Sequence, residues 1–183
     1  MKLVRLILLS SGLLSPSLTL ASCPDWLNHD FRRLHANDTI NICQQFPNQP
    51  LLLINTASHC GYTPQFSGLE ALFQQYKGQG LVVVGFASDD FNQEDASEAK
   101  AASICYENFG VTFSMTAPIH VRGNSAHPLF KTLAEKSQAP AWNFNKYVVS
   151  ADGKSVQYFG ATTSPQAANL INAINRVVTT TEP

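Results

Sequence analysis

The sequence predicts an α/β fold, a central sheet covered by helices on both faces. Three observations carry this. Two short and wholly apolar runs, at 51–54 and 81–86, read as strands buried on both sides. Stretches with apolar residues at helical spacing follow each of them. A hairpin signal and a last amphipathic helix then close the chain, and strands alternating with helices build layered sheets.

The elements follow in order. After Leu51-Leu52-Leu53-Ile54 comes a polar turn, His59-Cys60-Gly61-Tyr62-Thr63-Pro64. Phe66, Leu69, Leu72, Phe73 and Tyr76 then recur on one helical face, which predicts a helix with Thr63 as N-cap and Pro64 in its first turn. The second strand leads into a loop at 88–95 rich in Asp, Asn and Gln, and an Ala-rich helical stretch runs on to about Asn108. A short strand is expected at 119–121 and a short helix at 128–134. Residues 146–150 and 155–159 flank Ala151-Asp152-Gly153-Lys154, where Asp-Gly suits the positive φ of a hairpin turn. Ser164-Pro165 opens the last helix, with Leu170, Ile171, Ile174 and Val177 as its apolar face. No repeat or low-complexity tract appears. The reading is one domain over 23–183, with a thinly packed N-terminal arm at 23–49.

Residues 1–22 are set apart. Lys2 and Arg5 precede an interrupted apolar run to Leu20, and small residues Ala21 and Ser22 follow. This is the layout of a secretory signal, too short and too broken to span a bilayer comfortably. The expected location is therefore exported and periplasmic, with no membrane span. Leu20-Ala21-Ser22-Cys23 also fits a bacterial lipobox, in which Cys23 would be acylated. Cys43 offers the competing use: in an oxidising compartment Cys23 and Cys43 can pair, fastening the arm by about 2–4 kcal/mol.

Composition narrows the classes further. The chain has 183 residues with a formal net charge of -1, so nothing draws it to nucleic acid or an anionic membrane surface. Four Cys and five His occur, but no pair has a recognised ligand spacing. No metal or cofactor is expected.

Cys60 carries the chemistry. It follows a buried strand and precedes a helix, where free backbone N–H groups favour a thiolate over a thiol. A lone cysteine is more often a small core residue. Here His59, Gly61 and Thr63 suit an exposed turn better than core packing. Thr63 stands where a Cys-x-x-Cys oxidoreductase has its second sulfur, so any resolving thiol comes from elsewhere, with Cys105 as the candidate.

At this point a resemblance is plain. Asn55-Thr56-Ala57-Ser58-His59-Cys60-Gly61-Tyr62-Thr63-Pro64-Gln65 is similar to the active-site segment of the glutathione peroxidase family. Gly80 to Phe86 resembles its second strand, Trp142-Asn143-Phe144-Asn145-Lys146-Tyr147 its Trp-Asn-Phe-x-Lys motif, and Thr162-Thr163-Ser164-Pro165 its C-terminal turn. The likeness runs from about Pro50 to Val178, and the region before about Asn41 carries little of it.

The resemblance implies a thioredoxin-like fold, a central mixed sheet with helices on both faces. It also implies a catalytic tetrad of Cys60, Gln93, Trp142 and Asn143, in which amide and indole N–H donors hold a sulfur anion and orient a peroxide. The segment 104–113 resembles the resolving-cysteine region of the thioredoxin-dependent branch, which assigns that role to Cys105. The subunit-bridging insertion of tetrameric relatives is absent, which favours a monomer. The loop Ala87-Ser88-Asp89-Asp90-Phe91-Asn92 departs from the family's Pro-Cys-Asn-Gln-Phe-Gly, and its two carboxylates would raise the pKa of a nearby thiol.

The implied cycle has three steps. The Cys60 thiolate cleaves a hydroperoxide O–O bond and becomes a sulfenic acid, and Cys105 condenses with it to a disulfide. A thioredoxin-like protein or glutathione then reduces that disulfide. The alternative function is an exported thiol-disulfide oxidoreductase acting on protein thiols, which the missing Cys-x-x-Cys disfavours. A non-catalytic binding module is opposed by the presence of Cys60, Trp142 and Asn143 together.

Overall fold

The computed structural model describes residues 23–179; the expected export signal lies outside the described residues. The fold is built on a five-stranded sheet. Its strands are β3 (Leu51–Thr56), β4 (Val82–Ala87), β5 (Ser114–Thr116), β6 (Lys146–Val149) and β7 (Val156–Phe159), in the order β5-β4-β3-β6-β7. β3, β4 and β5 are parallel; β6 runs against them, and β7, antiparallel to β6, returns to their direction. The sheet is therefore mixed, as expected.

Alternation along β3 sorts the core into two layers. Leu52 and Ile54 face α2 (Gln65–Tyr76) and α5 (Ala168–Val178), joined by Ala101 and Ala102 of α3 (Glu98–Ala102). Leu51 and Leu53 face α4 (Pro128–Lys136), through Leu129, Phe130 and Leu133. Every residue of β3 and β4 is buried, which is why both read as unbroken apolar runs. His127 caps α4 by accepting the Leu129 amide at 3.2 Å, with Pro128 in the first turn. Gly153 supplies the positive φ of the β6–β7 turn.

Two expectations are corrected. Residues 119–121 do not form a strand. Ile119 N–H bonds Ala87 O at 2.9 Å, but the chain then turns away, and the third parallel strand is β5 instead. The N-terminal arm is not thinly packed. It forms a hairpin of β1 (Asp30–Arg32) and β2 (Thr39–Asn41) that leads into a single turn, α1 (Ile42–Gln45). Leu27, Phe31, Ile40 and Ile42 are buried in the second layer, and Leu34 in the first. The arm also bonds the sheet edge, with Leu34 N–H to Met115 O at 3.0 Å and Ala117 N–H to Arg32 O at 2.8 Å. Arg32 adds a bidentate pair with Glu98, both bonds 2.8 Å.

Cys23 and Cys43 form the expected disulfide across the arm, a state in which Cys23 has no free thiol for acylation. Among the described residues no helix is long and apolar enough to cross a membrane.

Candidate active site

Three segments converge at one end of the sheet, at the carboxyl ends of β3 and β4 and the start of the antiparallel β6. β3 lies between a parallel and an antiparallel neighbour, so the chain leaves it at a switch point where open α/β sheets place their sites. The turn 57–64 follows β3, the loop 88–95 follows β4, and 141–145 precedes β6.

Cys60 sits in the first of these, on the approach to α2. Its Sγ accepts the Tyr62 N–H at 3.4 Å. Cys60 is itself only 6% exposed, while His59 and Gly61 on either side are exposed. His59 and Gly61 are exposed as expected, but Thr63, expected with them in an exposed turn, is buried, and the sulfur is sheltered beside it. Thr63 makes no side-chain cap for α2. Its Oγ1 accepts the Cys60 N–H at 3.0 Å and donates to Ala57 O at 2.9 Å, which clamps the turn shut around the nucleophile. Pro64, placed by sequence in the first helical turn, stands just before it.

The loop 88–95 brings Gln93 to the site. Gln93 O accepts the His59 N–H at 2.9 Å, and its Oε1 accepts from Asn143 Nδ2 at 3.1 Å. Asn143 is fully buried, and its Oδ1 has no hydrogen-bond partner among the described residues. Trp142 is 41% exposed and packs on Phe91, ring centroids 5.2 Å apart. The structure thus gathers Gln93, Asn143 and the Cys60 turn by direct bonds, with Trp142 at the adjoining surface.

Asn55 at the end of β3 fixes the third segment. Its Nδ2 donates to Trp142 O at 2.9 Å, its Oδ1 accepts the Asn145 N–H at 3.1 Å, and its carbonyl accepts the Phe144 N–H at 2.6 Å. Phe144 adopts a φ of 62°, a conformation that a bulky residue takes only when its surroundings impose it. Those surroundings include the Phe66 ring at 5.1 Å and Lys146. Lys146 is fully buried, and its Nζ donates to Phe144 O at 2.8 Å, Thr163 O at 2.7 Å and Gln65 Oε1 at 2.5 Å. Burial pulls its pKa down to about 8. The Lys of the Trp-Asn-Phe-x-Lys motif therefore ties the site segment to α2 and to the turn before α5.

The two loop carboxylates are taken up by groups other than the sulfur. Asp90 accepts from the Val121 and Arg122 amides at 2.6 and 3.1 Å and pairs with His120 at 2.7 Å. Asp89 accepts the Glu94 N–H at 3.0 Å. Neither bonds Cys60. Sequence reasoning missed Glu94 and Ser58 instead, whose side chains share a hydrogen bond within the site. Nothing but the place of Glu94 next to Gln93 could have pointed to it.

Cys105 lies just beyond α3, in a π-helical turn, Ser103–Asn108. Its thiol is free and 3% exposed, in the same core layer as Ala57 and Cys60. Burial, aided by the Glu94 charge, pushes it up to about 12. Among the described residues no cluster of His, Cys, Asp and Glu could hold a metal ion.

Comparison with known proteins fits this geometry. The sequence profile of the glutathione peroxidase family matches residues 29–134. It reaches back through the arm, correcting the expectation that the region before Asn41 carries little of the likeness. The glutathione peroxidase of Lactococcus lactis subsp. cremoris is 36% identical over 144 residues, covering 75% of this chain and 92% of that protein. The glutathione peroxidase-like peroxiredoxin of Schizosaccharomyces pombe is 39% identical over 134 residues, covering 70% and 84%. The crystal structure of Trgpx in its apo form superposes with a TM-score of 0.68 at 26% identity, covering 86% of this chain and 98% of that one. The fold is thioredoxin-like, with the mixed sheet between helices. Profile, relatives and fold agree: the chain belongs to the glutathione peroxidase family, and it is a peroxidase of the oxidoreductase class.

Proposed function

We propose that the protein reduces hydroperoxides with two of its own cysteines, Cys60 as attacking thiolate and Cys105 as resolving thiol. One observation carries this reading. Both free cysteines are buried in a single core layer, beside a site where Gln93 and Asn143 are bonded to each other and to the Cys60 turn.

The Cys60 sulfur attacks the terminal peroxide oxygen, the O–O bond breaks, and water or an alcohol leaves once protonated. The Gln93 and Asn143 amides and the Trp142 indole N–H supply donors for the charge that develops on the departing oxygen. Cys105 then displaces the sulfenic oxygen as water and forms the Cys60–Cys105 disulfide. The π-helical turn is the hinge we assign to this step, since irregular turns of that kind open more readily than a regular helix and gather at functional sites.

An intrachain disulfide is the form a dithiol protein reduces by exchange, so the reductant we propose is a thioredoxin-like protein rather than glutathione. Peroxiredoxin, in the name of the fission-yeast relative, fits that assignment. The cycle needs one chain only, consistent with a monomer. The protein-thiol exchanger gains nothing from the site: Thr63 occupies the second sulfur's position and its hydroxyl is committed to the turn.

We further propose that the protein works outside the cytoplasm, on the layout of residues 1–22 and the Cys23–Cys43 pair. Intact-mass measurement of protein from the periplasmic fraction should then give a chain that starts at Ser22 or Cys23. A chain retaining Met1 would contradict export by this route.

Turnover tests the main reading. Stopped-flow consumption of hydrogen peroxide and cumene hydroperoxide by the reduced protein should be fast and stoichiometric, and Cys60→Ser should abolish it. Consumption no faster than that of a free thiol, or undiminished in Cys60→Ser, would overturn the reading.

A further inference from the structure

The resolving step poses a proton problem that the tetrad does not solve. Cys105 must lose the proton on its sulfur, and the hydroxide leaving the Cys60 sulfenic acid must gain one. Cys105 is 3% exposed and its thiol is pushed up to about 12, so at neutral pH the thiolate is scarce and bulk water has little access. A nearby group must move the proton.

Glu94 meets the requirement on both sides. Its Oε1 accepts from Ser58 Oγ and from the Asp95 N–H at 2.9 Å, and the Ser58 N–H also donates to the carboxylate. Ser58, itself 6% exposed, stands two residues before Cys60, so the carboxylate is fixed to the nucleophile's turn. On the other side, Cys105 lies in one buried cluster with Ala57 and Cys60, which flank Ser58 and its bond to Glu94, and the Glu94 charge raises its thiol. Burial raises the carboxyl's own pKa against the pull of the Ser58 bonds, making it a stronger proton acceptor than an ordinary carboxylate.

The other charged groups nearby are otherwise engaged. His59 is spent on Asp95 at 3.0 Å with its ring in solvent, Asp89 holds the Glu94 amide, and Tyr106 beside Cys105 is pushed up to about 12 by burial.

We infer that Glu94 relays the proton of the resolving step. As Cys105 Sγ attacks the sulfenic sulfur of Cys60, Glu94 takes the Cys105 proton, directly or through one water, and hands it to the departing hydroxide. The S–H and S–O bonds break, the S–S bond forms, and water leaves. The sulfenic sulfur is reduced as the Cys105 sulfur is oxidised, and Glu94 ends in its starting state. This inference rests on the two-cysteine reading above.

Glu94→Gln tests it, because the amide oxygen keeps an acceptor for Ser58 and Asp95 but cannot take the proton. The reduced protein is mixed with one equivalent of hydrogen peroxide. Peroxide loss is followed by stopped flow, and the surviving sulfenic acid by timed quenching with dimedone and mass spectrometry. The sulfenic acid should persist about a hundredfold longer in Glu94→Gln, the scale of a lost acid–base group. Peroxide loss should slow far less, and the pH dependence of resolution seen in the native protein should flatten. Glu94→Asp, which keeps a carboxylate, should recover part of the rate and restore the pH dependence. It also guards against a folding defect in the amide variant. An unchanged sulfenic lifetime and pH profile in Glu94→Gln would overturn the relay. So would equal slowing of both steps, which marks a mere strut for the Cys60 turn. A native protein that forms no Cys60–Cys105 disulfide would bring down the two-cysteine reading, and the relay with it.

Discussion

Thr63 and Cys60 show how the residue scale works here. One hydroxyl takes the Cys60 amide and gives to Ala57, so the nucleophile's backbone is held before the helix begins. Sequence pattern identified both residues but assigned Thr63 to capping, because the local signal for a cap and for a turn clamp is the same: a small hydroxyl beside a proline. Gln93 and Asn143 were legible through the family motifs, yet their mutual bond spans 50 positions and no local rule foretells it. The charge of Asp89 and Asp90 was plain, but not their partners: Asp90 is taken up by His120 and the Val121 and Arg122 amides, Asp89 by the Glu94 N–H. Cys105 yields a prediction at this scale. With its thiol at about 12 against an ordinary 9.0, its thiolate fraction near pH 8 is about a thousandfold smaller than that of a free thiol. Iodoacetamide at pH 8 should therefore label Cys60 in the reduced native protein and leave Cys105 untouched until the chain is unfolded. Because the folded-state value exceeds the unfolded one, this thiol's contribution to stability is full below about pH 9 and is lost as pH climbs toward 12. Equal labelling of both cysteines at pH 8 would contradict the burial of Cys105.

At the scale of elements, the long periodic segments were readable and the short nonlocal ones were not. β3, β4, α2 and the β6–β7 hairpin each carry a pattern that repeats within the element. The strands of the arm are three residues long, too short to display a period, and the bonds that tie the arm to the sheet edge join positions some eighty residues apart, Leu34 to Met115 and Arg32 to Ala117. The segment 119–121 failed for the opposite reason. Its residues look strand-like, but it makes one bond to the end of β4, and its backbone is then taken up by Asp90 and His127. Phe31 is the measure of the arm. It is 2% exposed and packs edge-on to Phe86 at 5.0 Å between ring centroids. Phe31→Ala should cost about 3–5 kcal/mol, the usual loss for a buried aromatic, read as a drop in the urea midpoint at constant slope. A loss below 1 kcal/mol would mean that the arm is peripheral after all.

For the whole molecule, the sheet's change from parallel to antiparallel pairing is what makes the site possible. It puts the ends of β3 and β4 beside the start of β6, so that the Cys60 turn, Gln93 and Asn143 meet although they are scattered through the chain. The class of fold was legible from strand–helix alternation alone; the meeting point was not, because topology is absent from local pattern. The four cysteines divide by place in the same way. Cys23 and Cys43 staple the arm, while Cys60 and Cys105 lie reduced in the core beneath the site. Peptide mapping by mass spectrometry, before and after one equivalent of hydrogen peroxide, tests this division most directly. The account predicts Cys23–Cys43 alone beforehand and Cys60–Cys105 in addition afterwards, with no scrambling between the pairs. A product in which Cys60 is oxidised and Cys105 remains a thiol would contradict it.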